Sequence, residues 1–296
     1  MKVLKIKPFF SERLWGGDKL KEFGFKLPDT NLYGEAWLIS ALENGMTYLE
    51  GGQSFKEFFE KNKSLFGNIE QFPLLTKIIT ANDNLSVQVH PDDNYAIKHH
   101  KMLGKPECWY IIDCPVNAEL IYGHYAKDAK ELHDLVSDKK WDQLFQKIKI
   151  KKGDFINVPS GKIHAITKGV SVFELQRSSD ITYRFYDYER KDKNGDLREL
   201  HIDHCLNVTT IPDNEFFIKN INDGELINNK YFTLHLITKN QTLKLDNEWA
   251  QLTIIEGSAV INDYQINKGD SIFIYNFDHK LNIQTNGKIL LSYKNV

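Results

Sequence analysis

Three short stretches of this chain carry side chains that would make a metal site if brought together. They are Ser86-Val87-Gln88-Val89-His90-Pro91, then Lys105-Pro106-Glu107-Cys108-Trp109-Tyr110, then the run from Gly153 through Pro159-Ser160-Gly161-Lys162-Ile163 to His164. Between them they offer Gln88, His90, Glu107 and His164, a mixed nitrogen and oxygen donor set suited to a borderline divalent ion such as zinc. Side chains two apart on a strand share a face, so Gln88 and His90 point together while Val87 and Val89 pack behind. Pro91 then stops the strand and leaves His90 near a rim. The third stretch reads as a buried strand, a Pro/Gly turn and a strand opening on histidine. Donors drawn from separate strands are held rigidly, with a coordination position left open for water or substrate.

Each residue alone has a plainer reading. A histidine at a strand end is usually a hydrogen-bonded structural residue, and a glutamate after a Gly-Lys-Pro turn is usually exposed. The combination of Gln-x-His, a downstream Glu on a strand and the Pro-x-Gly-x2-His turn points to the metal. His99 and His100 lie next to each other in a helical stretch, where neighbours diverge by about 100°, so both read as surface residues. His124, His133, His201, His204 and His235 have no partner spacing and take a structural reading.

The elements that must position these residues are mostly strands. Residues 36–40, 74–79, 85–90, 108–112, 155–158 and 170–176 are short, rich in β-branched or aromatic residues and flanked by turn formers. Such punctuation suggests a sandwich, jelly roll or barrel, and no Gly-rich phosphate loop follows any strand. Helices are expected at 54–66, opened by a Ser54/Glu57 capping box, at 92–102 after Pro91, and at 128–148 with a break near Ser137-Asp138. The segment from Ile211 to Glu215 marks a boundary between a metal-binding domain, 1–212, and a second unit, 213–296. Strands at 231–238, 250–255, 259–261, 271–275 and 288–293 follow. Residues 269–279 look like a faded copy of 153–164, with no upstream Gln-x-His to serve His279, so the second unit reads as a metal-free barrel.

Composition sets the class. Of 296 residues, 41% are hydrophobic and 26% charged, with 38 basic against 40 acidic side chains and a net charge of −2. These values are ordinary for a soluble globular protein, and nothing resembles a nucleic-acid footprint or a membrane-binding patch. The lysine-rich run 147–152 reads as a solvated face. Cys108, Cys114 and Cys205 are odd in number and lack Cys-x-x-Cys spacing, which favours a reducing cytoplasm over a disulfide framework. The N-terminus interleaves charges with apolar residues and lacks a signal-peptide core. Residues alone carry the reading to a metal-binding double barrel.

Over almost its whole length the chain also resembles the type I mannose-6-phosphate isomerases of the cupin superfamily, in their shorter bacterial form. The likeness runs through Arg13-Leu-Trp15-Gly16-Gly17, Gly34-Glu35-Ala-Trp37-Leu-Ile-Ser40 and the three stretches above. It continues through Glu174-Leu-Gln176-Arg-Ser-Ser-Asp180-Ile-Thr-Tyr-Arg184-Phe-Tyr-Asp187-Tyr-Glu-Arg190 and Arg198-Glu199-Leu200-His201. It implies a mainly β protein of two cupin-type jelly rolls, with helices inserted in the first. It also implies an enzyme that holds one zinc ion per chain and interconverts mannose 6-phosphate and fructose 6-phosphate.

On the matching positions the resemblance places the metal on Gln88, His90, Glu107 and His164. It places the active-site arginine on Arg184, acidic groups on Glu174 and Asp180, a lysine on Lys105 and a serine on Ser86. Lys105 and Ser86 would bind the phosphate, or Lys105 would assist ring opening. Position 104 is glycine where some members carry histidine, so no role of that histidine transfers. The expected partner is a small sugar phosphate, with no nucleic acid and no membrane, for a monomer or homodimer. The competing readings are an iron oxygenase on His90, Glu107 and His164 and a sugar-binding cupin without catalysis.

Overall fold

A computed structural model describes residues 1–29, 32–213 and 217–295. The chain is mainly β and forms two open jelly rolls, each built from a large sheet facing a smaller one. In the first, a seven-stranded sheet runs Ile218–Asn220, Asp154–Val158, Glu107–Asp113, Ser171–Arg177, Leu74–Thr80, Tyr33–Ile39, Phe9–Gly17. Opposite it lie Tyr183–Tyr186, Val87–Val89, His164–Ala165, Glu119–His124 and Phe145–Lys149. In the second, Trp249–Glu256, Ser271–Tyr275 and Lys288–Tyr293 sit within another seven-stranded sheet, faced by four strands.

Tyr33–Ile39 and Leu74–Thr80 are buried at every position, which follows from packing on both faces. Ala36, Leu38, Leu74 and Ile78 join the core shared with the second jelly roll. Alternate residues on the same strands, Glu35, Trp37, Lys77 and Ile79, line an internal cavity instead. The helix Phe55–Lys61 ties the two halves together. Ser54 caps it by accepting from the Glu57 N–H at 3.1 Å, and its phenylalanines meet the second sheet. Phe55 and Phe58 lie 5.3 and 5.8 Å from Phe273, while Phe66 and Phe72 lie 5.6 and 5.7 Å from Trp249.

Among the described residues, strand pairing crosses the expected 212/213 boundary in both directions. Lys2–Lys7 pairs with Ser271–Tyr275 in the second jelly roll, and Ile218–Asn220 pairs with Asp154–Val158 in the first. Asn214 and Glu215 of the boundary segment lie outside the described residues. The expected helix 128–148 is a helix only in part. Ala129–Ser137 and Trp141–Leu144 are helical, but Phe145–Lys149 is a strand paired with Glu119–His124. From 146 to 149 burial alternates along the strand, a period of two that wins once a partner edge is available. The other two helices are shorter than expected, Phe55–Lys61 followed by a 3-10 turn at Lys63–Phe66, and Asp93–His100. A helix at Ile202–Val208 was not anticipated. Among the described residues, no helix is long and apolar enough to cross a membrane.

Phe273 is fully buried where the two jelly rolls meet. Phe273→Ala should therefore cost about 3–5 kcal/mol, read as a lower urea midpoint for unfolding of the whole chain.

Candidate functional site

The inner face of the first jelly roll is apolar at one end, where Trp15, Ile111, Ile156, Val158 and Val172 pack together. Toward the mouth it turns charged, and there His90, Glu107 and His164 meet. All three are buried, and their donor atoms lie within 4.8 Å of one another. Each comes from a different strand or strand end. Val87–Val89 pairs with His164–Ala165 through Gln88 and His164. Glu107 opens the strand that pairs with Asp154–Val158. The turn between 158 and 164 is fastened to His90, because the Gly161 N–H donates to the His90 carbonyl at 2.9 Å. Gly161 has φ of +85°, and a Cβ there would sit 2.2 Å from Thr210 Oγ1, so the turn requires glycine.

Two backbone carbonyls decide which way the imidazoles face. His90 Nδ1 lies 2.9 Å from the Ile181 carbonyl, and His164 Nδ1 lies 2.8 Å from that of Lys162. A carbonyl only accepts, so each Nδ1 carries the proton and each Nε2 presents a lone pair. Both lone pairs point at one carboxylate. His90 Nε2 is 3.3 Å from Glu107 Oε2, and His164 Nε2 is 3.3 Å from Oε1. Burial, then the nearby Lys105 ammonium, push His90 down to about 4, and burial lowers His164 as well. Both rings are therefore neutral at neutral pH. Burial opposes ionisation of Glu107, but Lys105, His90 and His164 together outweigh it and hold the carboxyl well below its ordinary value.

Four acceptor atoms thus converge, and neither buried carboxylate oxygen accepts a hydrogen bond of good geometry. A cation between them resolves that conflict. A tetrahedral ion with bonds of about 2.0–2.1 Å separates its donors by about 3.3 Å, which matches both imidazole–carboxylate spacings. The donor set therefore fits a metal. Gln88 reaches the same cluster, its Nε2 lying 3.3 Å from His164 Nε2. Lys105 Nζ stands 3.1 Å from both His90 Nε2 and Glu107 Oε2.

The cavity in front of the cluster has a volume of about 290 Å³ and is lined by Ser86, Gln88, Lys105, Glu174, Asp180 and Arg184, among others. Glu174 is buried, with Trp109 Nε1 donating to it at 3.0 Å and Lys77 Nζ at 3.0 Å. Asp180 is exposed at the rim, beside Asn44. Arg184 lies opposite Gln88 across a strand pair, and its Nε donates to the Glu199 carbonyl at 3.1 Å. His99 and His100 are exposed on their helix, and His279 bonds the Leu245 carbonyl.

Several cavity residues had no role assigned from the sequence. Lys77 is one, a fully buried ammonium between Glu174 and Glu35. Its signal was a lone lysine inside the apolar run Leu74 to Ile79. Arg13 grips Glu35 with two bonds, at 3.0 and 3.1 Å, and Trp37 Nε1 adds a third at 2.6 Å. Arg198 grips Asp187 with two bonds at 2.6 Å. Among the described cations of the cavity, only Arg184 has no carboxylate in salt-bridge contact. Gly104 has no room for any side chain, since a Cβ would lie 2.5 Å from the Asp92 backbone.

Residues 3–110 match the family model for the type I phosphomannose isomerase catalytic domain, and residues 222–294 match that for the mannose-6-phosphate isomerase cupin domain. Mannose-6-phosphate isomerase ManA of Bacillus subtilis is 40% identical over 291 residues, covering 92% of each chain. A crystal structure of mannose 6-phosphate isomerase from Bacillus subtilis superposes with a TM-score of 0.91 at 35% identity, covering 99% of this chain and 100% of that one. Another mannose 6-phosphate isomerase, solved bound with zinc and yttrium, shares the fold, with a TM-score of 0.80 at 16% identity over 100% of both chains.

The Arg13–Glu35–Lys77 network makes stability depend on acid. Burial by itself raises the Glu35 carboxyl, but Lys77 and Arg13 overcome that and hold it at about 2. A carboxyl depressed on folding contributes stability above its ordinary value of 4.5 and gives it up as pH falls toward 2. The native chain should therefore lose more unfolding free energy than Glu35→Gln between about pH 5 and about pH 3. Urea titrations at both pH values measure the difference, and equal losses would contradict the assignment.

Proposed function

The chain belongs to the type I phosphomannose isomerase family and is an isomerase, and on that premise we propose that it interconverts D-mannose 6-phosphate and D-fructose 6-phosphate through an enediol, with one zinc ion held by His90, Glu107, His164 and Gln88. The observation that carries this reading is the convergence of two neutral imidazole lone pairs on one buried carboxylate, next to Gln88 and Lys105 of a cationic cavity. Arg13, Lys77, Lys105, Arg184 and Arg198 line that cavity against Glu35, Glu174 and Asp180. The positive excess suits a phosphate dianion.

Isomerisation moves a proton between C1 and C2, and its barrier lies in removing a weakly acidic C–H proton. Stabilising the enediolate that develops is the main task. When bound, the ion supplies Lewis acidity toward the sugar oxygens. Arg184, always protonated and without a carboxylate partner, offers a planar fork to the same oxygens. Glu174 and Asp180 are the proton-transfer candidates. Position favours Glu174, which is buried, lines the cavity and is held in place by Trp109 Nε1 and Lys77 Nζ, each at 3.0 Å. Asp180, at the rim, is better placed to order the entry. Lys105 stands close to the ligand set, which favours ring opening over phosphate contact, and Ser86 takes the phosphate.

We retain 1–212 as the catalytic unit and 213–296 as a second, metal-free barrel that braces it, with Lys2–Lys7 and Tyr48–Leu49 joining the second unit's sheet and Ile218–Asn220 joining the first's. The unpaired thiols of Cys108, Cys114 and Cys205 suit a reducing cytoplasm. The chain acts there on a free sugar phosphate, as a monomer or homodimer.

Two variants separate the roles. Arg184→Ala should lower isomerase turnover by about 10²-fold or more, the scale of losing one key electrostatic stabiliser, while metal content by elemental analysis stays at one ion per chain. His164→Ala should release the ion. Stoichiometric metal retained in His164→Ala, or normal turnover in Arg184→Ala, overturns the corresponding assignment.

A further inference from the structure

Arg184 sits in a four-residue strand, Tyr183–Tyr186, at the edge of its sheet. One side of that strand pairs with Val87–Val89, and the pairing shifts register between Arg184 and Tyr186. A short, irregular edge strand is a poor platform for a group that must meet reacting oxygens to within a fraction of an ångström.

Its open side is closed by one residue. The Arg184 N–H donates to His201 Nδ1 at 3.1 Å, and the His201 N–H donates to the Arg184 carbonyl at 2.9 Å. Two residues earlier, the Glu199 carbonyl accepts from Arg184 Nε. The segment 199–201 therefore holds this one arginine at three points, two on its backbone and one on its guanidinium.

The segment is itself anchored at both ends. Upstream, Asp187 gathers Arg190 and Arg198. Downstream, the His201 carbonyl accepts from Cys205 N–H at 2.9 Å and so starts the helix Ile202–Val208.

We propose that His201 is a positioning residue for the isomerase site: its neutral imidazole locks the backbone of Arg184 so that the guanidinium projects into the sugar-phosphate cavity. The inference rests on the catalytic reading of Arg184 given above. Nδ1 accepts the Arg184 N–H only while it carries no proton, and an imidazolium there presents N–H to N–H. The charged and titratable groups that face the ring are Arg184, Glu199, whose carboxylate is 3.9 Å from Nε2, His204, and Tyr183, whose ring centre is 6.1 Å away. Burial first, and then Arg184, keep the ring below its ordinary value of 6.5, while Glu199 opposes them. The lock is therefore closed at neutral pH and opens on acidification.

The test uses the zinc-loaded full-length chain and the variants His201→Ala, His201→Asn, Arg184→Ala and the double variant Arg184→Ala/His201→Ala. An asparagine Oδ1 can take the place of Nδ1 as acceptor and does not titrate. His201→Ala should lower kcat/KM about tenfold, the scale of one lost hydrogen bond that leaves its donor unpaired, with most of the loss in kcat. His201→Asn should restore it to within about threefold and should extend activity to lower pH than the native chain, with metal content checked at each pH.

Adding His201→Ala to Arg184→Ala should cost nothing further, because the effect passes through the missing guanidinium. Independent losses in the double variant, or an unchanged acid limb in His201→Asn, would overturn the proposal. Should His201→Ala fail to fold, the acid limb of His201→Asn still decides. Should Arg184→Ala keep full turnover, the catalytic reading of Arg184 falls. The Arg184 Nε–H resonance, expected to shift on acidification in the native chain and to stay put in His201→Asn, then tests the lock by itself.

Discussion

The site depends on a conflict between acceptors. Two imidazoles, each with its proton committed to a backbone carbonyl, turn their remaining lone pairs onto a buried carboxylate. In water such an arrangement would relax, and in a folded interior it cannot, because each donor is held by a different strand. A single cation placed among them would satisfy all of them at once. Lys105 partly fills that need from one side.

The surrounding fold serves that constraint in layers. The seven-stranded sheet of the first jelly roll is covered on both faces, so strands such as Leu74–Thr80 have no freedom to shift register. The aromatic cluster around Phe55, Phe72, Phe273 and Trp249 makes the second jelly roll a brace for the outer face of that sheet. Its inner face can then carry Glu35, Lys77, Glu174 and Glu107 without collapsing. Buried ion pairs of this kind add little net stability against an apolar alternative. Their effect here is to hold charge in a defined place beside the cavity.

Much of this was legible in the residues. The face shared by Gln88 and His90, the strand behind Glu107 and the Pro/Gly turn before His164 all appear in the fold where the local pattern put them. The Ser54 cap did too. The stretch 145–149 gives no decisive local signal, because its two apolar residues, Phe145 and Ile148, are too few to set a period, and only the edge of Glu119–His124 makes it a strand. Lys77 was overlooked because a lysine in an apolar strand has no local partner. Its partners, Glu35 and Glu174, arrive from neighbouring strands.

Taken by itself, the sequence determined which donor types were present, which face of its own strand each would take, and where strands had to stop. Those are properties of neighbouring residues, fixed by backbone geometry and turn chemistry. Only the tertiary structure decided the tautomer of His90, through a carbonyl 91 residues away, and the anchoring of Arg184, through an imidazole 17 residues on. Sheet register and the path of the returning chain bring such groups together, and no local pattern in the chain encodes either one.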